Sequence, residues 1–492
     1  MVLIKHTIRL CIGLATAVII SGCMVGPDYI RPQTTAAEGT GFINAPPGWT
    51  DANDICTGGP WWQCFGDQVT ADLVLLALER NTDLKAAAAK VLEAEALLAQ
   101  SHGVRLPDVS YAANRRRAKV SASSFGGSGS FFSTVYSQNV NVSYIVDFFG
   151  KLRRAERAAV ADLLATEADR QTLRHAIISQ VVRTRIQIGT QQRLLDVARA
   201  DITNRAETLR IVERRYNLGL VGPLDVYMAK ENLAAARTLE PSIVERIKLA
   251  QHSLDVLIGQ RPGASAQLPD RVGALGEPEP VPVGVPAALL DRRPDVRAAE
   301  MRLRAATERV GVSIAALFPD LTLSGSWGYQ SGKFSMLTDP EAEVYSAIIG
   351  LTAPIFKGGQ LKAQVDAAKA RATQAAQNYA GVVLVALREA EDALVRQQTL
   401  KDRLGHLAER LKQASQTETL ARQRYMRGVE QLLVVLDTER RRRLAENELI
   451  LTAGNLWNAR IELFLALGGD WNIPAPDTMQ SGKLRVADDE IN

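Results

Sequence analysis

Two stretches of the chain are suited to uninterrupted helix, and their length constrains the fold more than any other feature. From Lys151 to Leu218 there is no proline and a single glycine, Gly189, and from Gln360 to Arg427 there is again no proline. Proline ends helices because it lacks a backbone donor and clashes with the preceding turn. Each stretch therefore predicts roughly 68 helical residues, or about 100 Å at 1.5 Å per residue. In the first, Val181, Ile188, Leu195, Ile202, Leu209 and Tyr216 recur at every seventh position, a spacing that keeps one stripe turned toward a partner helix. The second is looser, with Leu387 and Leu394 followed by Leu400, Leu404, Leu407 and Leu411.

Both stretches belong to an internal duplication. Asn81-Thr82-Asp83-Leu84-Lys85-Ala86-Ala87 answers Arg293-Pro294-Asp295-Val296-Arg297-Ala298-Ala299, and Leu106-Pro107-Asp108 answers Phe318-Pro319-Asp320. Gly150-Lys151-Leu152 matches Gly359-Gln360-Leu361, Arg215-Tyr216 with Gly219 matches Arg424-Tyr425 with Gly428, and Leu257-Ile258-Gly259 matches Ala466-Leu467-Gly468. The correspondences keep their order, so roughly 210 residues occur twice. We read 67–260 and 289–469 as the two repeats, joined by a Pro- and Gly-rich connector over 261–288 and followed by a tail, 470–492.

Each repeat has the same plan. A helix over about Asp67 to Gly103, or Pro294 to Ala316, stops at a Leu-Pro or Phe-Pro step, where the residue before proline avoids helical geometry. Two strands follow, Val109–Val120 and Thr134–Asp147 in the first repeat, Leu321–Gln330 and Val344–Pro354 in the second. Alternation in Val140-Asn141-Val142-Ser143-Tyr144 and in Leu321-Thr322-Leu323-Ser324-Gly325-Ser326-Trp327 fits strands with one apolar and one polar face. After the long helix come a tight turn at Gly219 or Gly428 and a shorter returning helix. Arg115 to Arg117 fall in a predicted strand. A lipid-facing arginine costs about 2–4 kcal/mol at the bilayer midplane, so alternate positions point into water or lie in an external rim, and the sequence leaves both open.

The N-terminus fixes the expected compartment. An apolar run from about Leu10 to Ile20 follows Lys5, His6 and Arg9 and ends at Ile20-Ser21-Gly22-Cys23. This pattern predicts a secretory signal over 1–22, too short for a mature membrane helix, with Cys23 as the lipidated first residue of a linker reaching to residue 66. An S-diacylglycerol and an N-acyl chain would anchor it firmly; no other cofactor is expected. Of four cysteines, Cys23, Cys56 and Cys64 survive cleavage. In an oxidising compartment Cys56 and Cys64 are placed to close a small disulfide loop. The net charge of +4 is too balanced to argue for nucleic acid.

The mature start, Cys23-Met24-Val25-Gly26-Pro27-Asp28-Tyr29-Ile30-Arg31-Pro32, resembles that of the TolC-like outer-membrane factors in their lipoprotein branch, the NodT or OprM type. Trp61-Trp62-Gln63-Cys64-Phe65-Gly66-Asp67, Asp147-Phe148-Phe149-Gly150-Lys151, Arg292-Arg293-Pro294-Asp295-Val296-Arg297-Ala298-Ala299-Glu300 and Ala353-Pro354-Ile355-Phe356-Lys357-Gly358-Gly359 resemble further motifs of the same family, in the same order. The resemblance implies a mainly α fold with a membrane β-barrel. Four strands cannot close a barrel and open edges are not tolerated in lipid; the resemblance, not the sequence itself, sets the number of chains at three, which would supply a 12-stranded barrel continuous with a periplasmic α-helical barrel.

It implies a function as well. Such a homotrimer is the outer-membrane conduit of a tripartite efflux system, docking a periplasmic adaptor and an inner-membrane transporter of the resistance-nodulation-division type to expel small molecules. Asp437 matches a carboxylate position at the narrow periplasmic tip, with Val434 where some relatives carry a second acid. Tyr425 and Asp225 match positions that latch neighbouring helix pairs in a closed tip. The turns at Gly219, Leu220, Val221 and Gly222 and at Gly428 and Val429 form the expected docking surface, with Leu220 and Val221 as exposed apolar area. Two other readings remain: a metal-ion or protein-export channel, and a non-conducting periplasmic coiled-coil scaffold.

Catalysis is not expected. His102, His175, His252 and His406 show no metal-ligand spacing, and no nucleophile-and-base constellation or phosphate-binding glycine motif is present. Arg440 to Arg443 share their helix with Glu439, Glu446 and Glu448, which fits a solvated or inter-helix face rather than nucleic-acid binding. Metabolic labelling with radioactive palmitate should mark the wild type, while Cys23→Ser should carry no label; a labelled Cys23→Ser protein would refute the anchor.

Overall fold

The computed structural model describes residues 24–33, 41–45, 61–65, 67–121, 128–264 and 289–469. Cys23, Cys56, the signal sequence, 265–288 of the connector and the tail from 470 lie outside the described residues, and so does the side chain of Cys64.

The first repeat runs α1 (Gln68–Arg80), α2 (Thr82–Gly103), β1 (Asp108–Ser121), β2 (Ser130–Val146), α3 (Lys151–Asn217), α4 (Pro223–Arg237) and α5 (Leu239–Leu257). The second runs α6 (Pro294–Ala315), β3 (Asp320–Ser331), β4 (Glu343–Thr352), α7 (Gln360–Met426) and α8 (Leu432–Ala466). Both long helices have 67 residues. Among the described residues no helix is long and apolar enough to cross a membrane.

Three differences from the sequence reading have physical causes. The stretch from Asp67 to Gly103 is two helices, because the Asn81 side chain caps a new start by accepting from the Asp83 and Leu84 amides at 2.9 and 3.0 Å. The same side chain donates to the Leu257 carbonyl at 2.9 Å. The returning helix of the first repeat breaks at Thr238, just before Pro241, whose nitrogen cannot serve the Arg237 carbonyl; the second repeat has no proline there, and α8 continues. The seven-residue stripe of α3 is buried only through Val181, Ile188 and Leu195, while Tyr216 is 44% exposed. Past Leu195 the buried positions are Ala198, Asp201, Arg205, Thr208 and Val212; Ala198, Arg205 and Val212 continue the buried line of Ile177, Thr184 and Gln191, so the seam that persists is a neighbouring seven-residue line that carries polar residues.

The chain forms two compact units, 1–33 with 89–168 and 298–381, and 34–88 with 169–297 and 382–492. In the first, the strands of both repeats make one antiparallel sheet in the order β1-β2-β3-β4. Side chains alternate across a sheet, so the register sorts them. One face carries Val109, Tyr111, Val140, Val142, Leu323, Trp327, Tyr345, Ile349 and Leu351; the other carries Asn114, Ser137, Asn139, Asn141, Ser143, Ser324, Ser326 and Ser346.

The N-terminal segment is built into this unit. Arg154, 1% exposed, donates to the carbonyls of Val25, Gly26 and Pro27 at 2.7, 3.0 and 2.9 Å, to Asp28 at 3.1 Å and to Glu308 at 2.9 Å. Gly311 is what lets it lie there: a Cβ at that position would stand 2.0 Å from Arg154 Cδ. Tyr29 and Arg31 both donate to Glu300, at 3.0 and 2.9 Å. Asp147 accepts from the amides of Leu152 and Arg153 at 3.1 and 2.8 Å and so starts α3 directly below β2.

The second unit is packed around Trp61, whose ring stacks on Phe464 at 5.5 Å and meets Phe65 edge-on at 5.9 Å, while Phe65 packs on Trp457 at 5.0 Å. Ile178, Val181, Leu254, Ile461 and Leu463 complete this core. The duplication reappears here in three dimensions. Gly259 meets the Arg80 carbonyl and Gly468 meets Arg292 at distances of 2.7 and 2.8 Å from a virtual Cβ, and both have positive φ. Trp61→Ala should destabilise the protein by about 3–5 kcal/mol, seen as a marked fall in melting temperature, whereas Ile43→Ala at an exposed site should leave it unchanged.

Candidate functional site

The residues expected at the tip come together in the second unit where α3 turns into α4 and α7 into α8. Both long helices end in the same way. Gly219 (φ 72°) donates to the Tyr216 carbonyl at 2.9 Å and Leu220 to that of Arg215 at 2.9 Å; Gly428 (φ 79°) donates to Tyr425 at 2.9 Å and Val429 to Arg424 at 3.1 Å. This closing pattern of amides back onto the last turn requires a left-handed residue, which glycine adopts without penalty. Gly222 is extended and precedes Pro223, which opens α4.

The turns present apolar surface. Leu220 is 62% exposed, and Leu218, Leu224, Tyr227, Val429 and Leu433 are exposed with it. Val221 does not belong to that surface: it packs against the cluster of Val212, Ala229, Tyr425, Leu432 and Val435. The expectation that Val221 offers exposed area is corrected by this inward packing.

Tyr425 is 3% exposed. The Arg215 guanidinium lies over its ring, 4.6 Å from the centroid, and donates to its backbone carbonyl. Its phenol oxygen is buried and has no hydrogen-bond partner among the described residues. Burial, with the nearby Asp225 carboxylate adding to it, pushes the phenol's ionisation up, against the pull of Arg215. The duplication is broken here. Tyr216, the counterpart of Tyr425, is exposed, and Arg424, the counterpart of Arg215, pairs with Glu430 at 3.3 Å.

Asp437 sits two turns into α8 and lines a cleft of about 450 Å³ with Leu433, Leu436, Arg440 and residues of α4. It is not an isolated acid. Arg440 Nη2 and Arg441 Nε each reach a carboxylate oxygen at 2.6 Å, and the hydrogen bond from Arg440 holds the carboxyl below its usual range. Arg442 and Arg443 turn inward, Arg442 to Glu418 and Glu446 and Arg443 to Asp201.

A buried polar layer adjoins this cleft that the sequence reading missed. Asp201 pairs with Arg205 at 2.9 Å, and Thr208 donates to Glu439 at 2.8 Å. Burial, reinforced by Glu418, raises the Glu439 carboxyl above its usual range, while Thr208, Arg205 and Arg422 oppose the shift. The signal that pointed to it was the polar run on α3 at the positions where an apolar stripe would emerge: Asp201, Arg205 and Thr208.

The sheet with opposite faces, the paired long helices and the doubled turn now meet the comparisons with known proteins. The family profile described as "Outer membrane efflux protein" matches residues 73–260 and 285–469. The chain belongs to the outer membrane efflux protein family. It is similar to the pyoverdine export outer membrane protein OpmQ of Pseudomonas aeruginosa, 32% identical over 465 residues covering 93% of this chain and 96% of that one. It is also similar to the toluene efflux pump outer membrane protein TtgF of Pseudomonas putida, at 29% identity over 94% of this chain and 97% of the other. Among solved structures, the outer-membrane channel OprN matches with a TM-score of 0.84 and 30% identity over 91% of this chain and all of that one.

As an outer membrane efflux protein the chain is an outer-membrane channel component of an efflux pump, not an enzyme. The raised Glu439 carboxyl gives a pH test. A carboxyl raised in the folded state contributes stability that is full below its ordinary value of 4.5 and is lost as pH rises through the folded value. The wild-type melting temperature should therefore fall across that window, and Glu439→Gln should flatten the fall; an unchanged slope would remove Glu439 as the cause.

Proposed function

We propose that three copies of the chain close their sheets into a 12-stranded barrel and their helices into a periplasmic tube, anchored by lipid on Cys23. The observation that carries this reading is the open four-stranded sheet, with one apolar face, one polar face and two unpaired edges. Lipid offers no partner for edge N–H and C=O groups, so the edges must pair with other copies. The polar face then lines a water-filled channel.

The tip is the gate. Supporting it are the exposed apolar turns and the carboxylate-guanidinium set of Asp437, Arg440 and Arg441 on the cleft. Because each Asp437 is already held by two arginines of its own helix, the constriction is a mixed-charge ring rather than a self-repelling ring of acids. Tyr425 and Asp225 form the latch: the buried phenol, with no hydrogen-bond partner among the described residues, bonds across to a neighbouring copy once its side chain turns outward. Gly219, Leu220, Gly222, Gly428 and Val429 present the docking surface for a periplasmic adaptor, which joins the channel to an inner-membrane transporter of the resistance-nodulation-division type. Relatives named for toluene and pyoverdine support small organic cargo.

Conductance of the purified protein in planar bilayers tests this reading. The wild type should give small openings, and Asp437→Ala and Tyr425→Phe should each enlarge them several-fold. A verified trimer that stays silent, together with silent tip variants, would favour a scaffold over a channel.

A further inference from the structure

The arginines of β1 are the charged feature that the channel reading leaves unexplained. The register sets Arg115 opposite Tyr136, Arg117 opposite Thr134 and Lys119 opposite Phe132. All three cations therefore share the face of Val109, Tyr111, Val140, Trp327, Tyr345 and Ile349, while Arg116 points to the face of serines and asparagines. The apolar face is the one that meets lipid in an outer-membrane barrel whose other side is wet.

Their height in the sheet is equally specific. The strand begins at Asp108, and below the cations its lipid-side residues are Val109, Tyr111 and Ala113; the three cations occupy the last stretch before Ser121. The helices follow the opposite ends of the strands, at Asp147 and Thr352, so this end faces away from the periplasm. The cations thus begin where the apolar band ends, at the level of the outer leaflet's headgroups.

Alternate residues of a strand stand about 6.8 Å apart, so three positive charges line about 14 Å of one edge strand. The Arg117 guanidinium lies 4.9 Å from the Phe132 centroid and Arg115 5.7 Å from that of Tyr136. The rings hold the guanidinium planes against the lipid side of the sheet without neutralising them. Among the described residues no carboxylate pairs with Arg115, Arg117 or Lys119.

We propose that Arg115, Arg117 and Lys119 bind the phosphorylated headgroup of lipopolysaccharide in the outer leaflet. Charge complementarity argues for that occupant: three closely spaced, unneutralised cations suit a headgroup bearing several phosphates better than one bearing a single phosphate. The inference rests on the proposed barrel, whose apolar face meets lipid, and not on the gate.

The test is titration of the purified full-length protein in detergent with bis-phosphorylated lipid A, with dephosphorylated lipid A and with phosphatidylglycerol. Wild type should bind bis-phosphorylated lipid A about tenfold or more tightly than either other lipid. Arg115→Ser with Arg117→Ser and Lys119→Ser should lose that preference, and Arg116→Ser on the polar face should keep it. Arg115→Lys with Arg117→Lys, which preserves charge and leaves the sheet's backbone pairing in place, should also keep it, and the single Arg117→Ser should lose part of it with an unchanged melting profile. Equal binding by wild type and the triple variant, equal loss in Arg116→Ser, or phosphatidylglycerol bound as tightly as lipid A would each overturn the proposal.

Discussion

A four-stranded antiparallel sheet has two edges, and in this chain the edges are β1 and β4. Each edge exposes backbone donors and acceptors that water can satisfy and hydrocarbon cannot. Much of the molecule makes sense as a response to that constraint. The duplication supplies two strands per repeat and lets β2 of the first pair with β3 of the second, so one chain makes a continuous four-stranded wall rather than two separate hairpins. The alternation of side chains then separates an apolar face from a polar one, which a channel wall needs and a buried sheet does not.

The connection between wall and helix is held by charge. Asp147 starts α3 under β2, Lys151 reaches Asp320 at 3.1 Å at the foot of β3, and Arg154 one turn on gathers the N-terminal segment. A guanidinium 1% exposed is tolerable only because carbonyls and two carboxylates occupy its donors. The Gly-Pro-Asp-Tyr start is thus part of the first unit's packing, with Gly26 and Gly311 providing the room. The second unit closes around Trp61 and Phe464, and beside its turns lies a buried polar layer in place of an apolar core. Asp201, Arg205, Thr208 and Glu439 are costly to bury, so the layer is held by their mutual pairing rather than by apolar packing.

The sequence was legible where a local rule governs. Proline-free length gave both 67-residue helices to within a residue or two, and Leu-Pro and Phe-Pro steps marked where α2 and α6 stop. Glycines at repeated positions identified the turns, because only a left-handed residue closes a helix that way. It was less legible where two local signals compete. Asn81 reads as an ordinary helical residue until its side chain is seen capping a second helix and bonding Leu257. The apolar heptad on α3 continues in sequence past Leu195, but the line buried throughout is the neighbouring one of Ile177, Thr184, Gln191, Ala198, Arg205 and Val212, whose polar members hide it from an apolar pattern. At the tip, Asp437 was readable as a carboxylate, but its neutralisation by Arg440 and Arg441 depends on which rotamers one helix face allows.

By itself the sequence determined the repeat, the alternation of strands with very long helices and the residue types at the turns, because these follow from periodicity and backbone preference within short windows. Only the tertiary structure decided which copy of each repeated residue does what. Arg215 reaches Tyr425 while Arg424 turns to Glu430, and Tyr216 stays exposed while Tyr425 is buried. It also decided the faces of the sheet, which placed Arg115 and Arg117 on the apolar side and Arg116 on the polar side. The physical reason is the same in both cases: strand register and helix pairing are long-range choices, and a one-residue change in either exchanges every side chain's surroundings.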